Sequence, residues 1–195
     1  MYKSRLMVCL MIVLLSATLA FAQNGKGGLI LGGNLCSFIG DDAELAKGMY
    51  GYNIGLYGSE KISNSLSFHL EVTYNQKGAD FDSGLKQRLQ YVDITVLFLK
   101  PIIGNLNAAL GPYLSIYTTG KEKLDTEELK IDEKLDVGNM STADIGLTAG
   151  LSFDFGIFIL ETREYVGFVP IFNTNESAYN WGMQVMLKYP FNSLP

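Results

Sequence analysis

The chain has 195 residues, 48% of them hydrophobic, with 15 Lys plus Arg against 20 Asp plus Glu and a net charge of −5. An acidic balance of this kind argues against nucleic acid as a partner. Two cysteines, one of them in the leading apolar run, leave no internal disulfide framework.

Lys3 and Arg5 precede an apolar run from Leu6 to about Leu19, which Ala20-Phe21-Ala22 closes. A basic start, an apolar middle and small residues around the cut are the parts of a secretory signal peptide. Cleavage is expected after Ala22, giving a signal peptide over 1–22 and a mature domain over 23–195. Cys9 lies inside the signal with no lipobox before it, so no lipid anchor is expected. Cleavage removes both early cations and takes the net charge from −5 to −7, with Cys36 as the one remaining thiol. No later apolar run reaches the ~18 residues that a membrane helix needs. A membrane form of this chain must therefore be a closed barrel, since open sheet edges leave backbone groups unpaired in lipid.

Strands are predicted at about 27–38, 50–59, 65–77, 88–99, 105–118, 141–154, 157–169 and 178–190. The first is the least regular, because Leu29, Ile30 and Leu31 are consecutive and glycines flank them. The third is the clearest. Leu66, Phe68, Leu70, Val72 and Tyr74 share one face, and Ser67, His69, Glu71, Thr73, Asn75 and Lys77 share the other. In the fourth, Val92, Ile94, Val96 and Phe98 oppose Tyr91, Asp93 and Thr95. In the sixth, Ile145, Leu147, Leu151 and Phe153 oppose Asp144, Thr148, Ser152 and Asp154. In the last, Trp181, Met183, Val185, Leu187 and Tyr189 oppose Asn180, Gly182, Gln184 and Lys188.

The joints near 60–64, 100–104 and 155–156 are short, and those near 39–49, 78–87, 119–140 and 170–177 are long. Alternation of short and long joints is the habit of membrane barrels, with tight periplasmic turns at one rim and longer external loops at the other. The fold expected is an all-β, eight-stranded, antiparallel up-and-down transmembrane β-barrel. So narrow a barrel is filled by side chains rather than water. Its lumen should hold a polar network of His69, Glu71, Asp93, Asp144, Asp154, Glu161, Arg163 and Lys188, with charges of both signs pairing across it. Tyr50, Tyr52, Tyr74, Tyr179, Trp181 and Tyr189 should form the interfacial girdles.

Several segments resemble the PorT-like outer-membrane β-barrel family of the Bacteroidota. They are Tyr91-Val92-Asp93-Ile94 running into Leu97-Phe98-Leu99-Lys100, then Gly111-Pro112-Tyr113-Leu114 and Asp144-Ile145-Gly146-Leu147. Leu70-Glu71-Val72 with Gln76-Lys77-Gly78, and Glu161-Thr162-Arg163 with Gly167-Phe168, complete the set. The resemblance covers nearly the whole mature chain and implies an outer-membrane barrel, some of whose relatives are linked to protein secretion and gliding. Two features depart from the family pattern. Glu164 stands where an aromatic is usual, and its parity points it toward lipid. Asn192-Ser193-Leu194-Pro195 follows Phe191, where such chains often end on an aromatic.

Chemistry is sparse. His69 is the sole histidine, and no nucleophile can be set beside it from sequence. No His, Cys and carboxylate cluster has metal-ligand spacing, and the glycines from Gly25 to Gly33 precede no helix that would make a phosphate loop. No catalytic residue, cofactor or metal is expected. The segment from Lys121 to Asp136 mixes seven acids with four lysines and reads as a solvated external loop, or as strand extensions carried by Leu124, Leu129, Ile131 and Leu135.

The function expected is a structural or docking and assembly role in the cell envelope, with no open pore. Its partners would be outer-membrane lipid and envelope proteins reached through the external loop 119–140. Two other readings compete: a soluble exported lipocalin-like barrel that binds a small ligand, and a membrane-embedded enzyme acting on lipids through His69.

Overall fold

The computed structural model describes residues 27–81, 83–125, 130–134, 140–173 and 177–191. The expected signal peptide, with its cleavage site, and the tail after Phe191 lie outside them. Eight long strands form a ring: β1 (Gly27–Ile39), β3 (Met49–Ser63), β4 (Leu66–Phe81), β5 (Leu85–Ile103), β6 (Leu106–Asp125), β8 (Ala143–Asp154), β9 (Ile159–Gly167) and β10 (Tyr179–Pro190). Each pairs antiparallel with its chain neighbour, and β1 pairs with β10 to close the wall. Closure gives every wall strand two partners, which is what lets a sheet stand in lipid. Two short strands stand above the ring. β2 (Ala46–Lys47) pairs with β4, and β7 (Lys130–Lys134) pairs with β6.

Alternation fixes the faces. Leu31, Ile54, Leu110, Ile145, Val185 and Leu187 are each half exposed or more on the outer wall, whereas Glu71, Asn75, Glu161 and Lys188 are wholly buried within. A soluble ligand-binding barrel has the opposite arrangement, so the lipocalin-like reading fails on the side of the wall that is apolar. Inward glycines leave room for large side chains. A Cβ on Gly146 would lie 2.5 Å from the Tyr113 ring, and one on Gly182 would lie 2.7 Å from the Tyr165 hydroxyl.

The structure departs from the sequence expectation mostly at the external rim. The joint expected at 78–87 is largely strand, because β4 and β5 run on and pair from Gly78↔Arg88 to Asp80↔Lys86. The joint expected at 119–140 is partly strand as well, with β6 reaching Asp125 and pairing with β7 from Lys121↔Lys134 to Asp125↔Lys130. Alternating apolar residues such as Leu85 and Leu124, which face each other across this ladder, continue the strand pattern past the membrane. Glu127, Glu128, Leu129, Leu135 and Asp136 lie outside the described residues. β9 is shorter than the predicted 157–169, and the turn before it spans 155–158, where Phe155 N–H donates to the Phe158 carbonyl.

Candidate functional site

Among the described residues the lumen concentrates the buried charges, and its contents are layered along the axis. The central layer joins opposite walls. Glu71 comes from β4, while Glu161 and Arg163 come from β9, four strands away around the ring, and Gln184 and Lys188 from β10, three strands away. Arg163 Nη1 donates to Glu71 Oε2 at 2.7 Å and to Glu161 Oε1 at 3.3 Å, and its Nε donates to Gln184 Oε1 at 2.7 Å. Lys188 Nζ contacts Glu161 Oε2 at 2.6 Å and also Glu71. Two cations and two acids balance to zero net charge, and each acid is held by both cations. Buried charge is tolerated when paired and hydrogen-bonded in this way.

Toward the external side lies a second layer. Lys77 Nζ sits 3.1 Å from Asp93 Oδ2 and donates to Ser115 Oγ at 2.6 Å. The same ammonium lies 5.0, 4.6 and 4.9 Å from the ring centres of Tyr91, Tyr113 and Tyr165, so three aromatic faces complete its surroundings. An amide chain runs along the wall: Asn53 donates to Asn34 at 2.7 Å, Asn34 to Asn75, and Asn75 to Asp93 at 2.6 Å. Asp144 accepts from Tyr113 Oη and Asn180 Nδ2, both at 3.1 Å, and from the Val169 N–H at 3.3 Å.

Of the eight residues expected in the network, Glu71, Glu161, Arg163 and Lys188 share the central cluster. Asp93 and Asp144 sit in the layer above. His69 is buried on the other side of the cluster and stacks on Tyr57 with ring centres 5.6 Å apart. Asp154 stands apart. It ends β8, is exposed, and accepts the Gly156 N–H at 2.7 Å, because a strand's last inward residue lies beyond the packed interior. Sequence reading left out Lys77, Asn34, Asn53, Ser115, Tyr165 and Gln184 as members. Parity already put Lys77 on the inner face, but its aromatic surroundings come from three other strands.

The two mouths differ. At the periplasmic end a cavity of about 480 Å³ is lined by Ser59, Lys61, Ser67, His69, Ser152 and Asp154, among others. Ser59 pairs with His69 across β3 and β4. The His69 Nδ1 has no hydrogen-bond partner among the described residues. At the external end Phe38, Ala43, Leu89, Tyr91, Tyr117, Met140, Ile171 and Ala178 pack into an apolar cap. The external segments are stitched over this cap. Ser141 N–H donates to Ile171 O and Ile171 N–H to Ala178 O, both at 2.8 Å, and Ser177 N–H donates to Asp42 Oδ2 at 2.5 Å.

Outside, Tyr50, Tyr52, Tyr74 and Tyr189 stand exposed on the wall. The misplaced acid has a partner there: Trp181 Nε1 donates to Glu164 Oε1 at 2.6 Å, near the external ends of β9 and β10.

The model of a family described as outer membrane protein beta-barrel domain matches residues 21–173. Among solved structures, Neisserial surface protein A is similar with a TM-score of 0.56 and 12% identity, over 86% of this chain and 97% of that one. Ail, the attachment invasion locus protein of Yersinia pestis, is similar with a TM-score of 0.51 and 15% identity, over 86% of this chain and 99% of that one. At these identities the likeness is one of fold. No curated protein matches the chain by sequence.

Proposed function

Because the chain belongs to the outer membrane protein beta-barrel domain family, we propose that it is a closed, non-conducting barrel with a structural or docking role in the envelope. The filled lumen carries this reading. The ion-paired layer joins opposite walls, and the apolar cap covers the external mouth. Burying charges this way suits a rigid post better than a channel.

Docking falls to what projects from the membrane. The β4–β5–β6–β7 ladder rises beyond the ring as ordered sheet and offers a broad surface to envelope proteins, with secretion machinery as one class of partner. The motif likeness to PorT-like barrels favours that class. We assign no catalysis: His69 stacks on Tyr57, and its Nδ1 holds no hydrogen bond to a neighbouring hydroxyl among the described residues. The mature chain begins at Gln23 in this reading, with the leader removed on export.

Two measurements test the proposal. Reconstituted in planar bilayers, the protein should give no discrete conductance steps; reproducible steps would sink the closed-barrel reading. In cells, a photo-crosslinker at Ser83, exposed in the turn between β4 and β5, should yield discrete protein adducts, whereas one at Val185 on the lipid-facing wall should yield none. Equal patterns at the two positions would remove the docking role.

A further inference from the structure

The projecting wall sets like charges side by side. β5 and β6 pair Lys86 with Lys123 and Arg88 with Lys121. Residues paired directly across a ladder point to the same side. The intervening Gln87 and Leu89 are buried inward, so the four cations stand on the outer wall. Arg88, Lys121 and Lys123 are exposed and Lys86 is half-buried. β4 adds Asp80 opposite Lys86, and β2 sets Lys47 opposite Asp80. β7 sets Lys134 opposite Lys121 and Asp132 opposite Lys123 in its ladder, so these registers gather six cations and two acids along this part of the wall. Lys47 and Lys123 have interactions of their own, so Lys86, Arg88 and Lys121 carry the argument.

Facing cations across a ladder cost stability. The cluster also runs against the composition of a chain whose acids outnumber its bases. Its height is informative. Outward Tyr74 pairs with Val92, and Arg88 lies four residues farther along β5 toward the external end. That is about 13 Å along a tilted strand, which lifts the cations out of the apolar band and into the layer above the aromatic girdle. Whatever surrounds an outer wall at that height is lipid headgroup.

We propose that this strip binds the phosphate groups of outer-leaflet lipids. A phosphate between Arg88 and Lys121 converts their repulsion into two attractions, and the guanidinium fork fits phosphate oxygens in pairs. Lys86 extends the strip upward to a second phosphate or a second lipid. The apolar wall below accepts the acyl chains of the same molecule. A free anion would gain no such contact, so lipid is the occupant.

The experiment uses the full mature protein, folded and reconstituted in phosphatidylcholine nanodiscs doped with lipid A or with enzymatically dephosphorylated lipid A. Bound lipid is counted by native mass spectrometry. The wild type should retain the phosphorylated lipid about tenfold or more over the dephosphorylated one. R88Q/K121Q should bring the ratio near one while keeping the gel shift between unheated and boiled samples. K86Q/R88Q should lower it too, and serves if the first variant misfolds. The stability readout reverses sign: R88Q/K121Q should unfold at higher urea than wild type in neutral discs and at lower urea in lipid A discs. Equal retention of both lipids by the wild type overturns the proposal, as does a preference that survives in both variants. Loss of the preference on adding excess inorganic phosphate would assign the strip to free anions and overturn the lipid assignment.

Discussion

Glu71 has no water to fall back on. It is wholly buried and shares both cations of the central layer with Glu161. An exposed ion pair contributes ~0–1 kcal/mol, whereas removing one partner of a buried pair costs ~3–5 kcal/mol because the other charge is stranded. Glu71→Leu should therefore lower unfolding stability by about 3 kcal/mol or more, read as a lower urea midpoint of the reconstituted protein with the gel shift intact at zero urea. An unchanged midpoint would mean that the layer is hydrated and weakly coupled. The inward position of Glu71 was legible because Leu70 and Val72 flank it with the opposite preference. Its partners were not, since Arg163 is 92 residues away and only closure of the ring brings β4 opposite β9.

At the scale of elements, β9 and β10 show how a strand carries an acid on its lipid side. Glu164 faces outward by parity and lies near the external ends of both strands, where an acid costs less than at the midplane. Trp181 comes from the next strand, pairs in the ladder with Val166, and reaches the carboxylate by its indole N–H. Trp181→Phe should destabilise the barrel by about 1–3 kcal/mol, the cost of leaving the acid without its donor. Trp181→Phe combined with Glu164→Leu should recover most of that loss, since both partners are then apolar. Urea midpoints of the two singles and the double would measure the coupling, and strict additivity would remove the bond from the account. The strands themselves were readable from period two. Their external ends were not, because β4, β5 and β6 continue above the membrane on alternating residues that look the same to sequence whether lipid or water lies outside.

For the whole molecule, the two rims have different characters. The periplasmic mouth opens into a cavity of about 480 Å³ with hydroxyl and charged walls, while the external mouth is sealed by aromatic and aliphatic side chains under folded loops. The long external joints were expected above the membrane, but Met140, Ile171 and Ala178 turn into the barrel and close it. The proposed leader is open to a direct check. Edman sequencing or intact mass of protein from outer-membrane fractions should give Gln23 as the first residue; a mass retaining residues 1–22 would contradict cleavage after Ala22.

Alternation at period two is a local property, so the sequence by itself determined which residues face lipid, which face the lumen, and that eight such strands follow one another. It also determined that charges of both signs would be enclosed, because they fall on the inner parity. Only the tertiary structure decided which charge meets which, that Lys77 is wrapped by Tyr91, Tyr113 and Tyr165, and that the external loops pack inward over the mouth. Those outcomes depend on ring closure and on the stagger between strands, which bring together residues far apart in the chain and leave no trace in any short window of it.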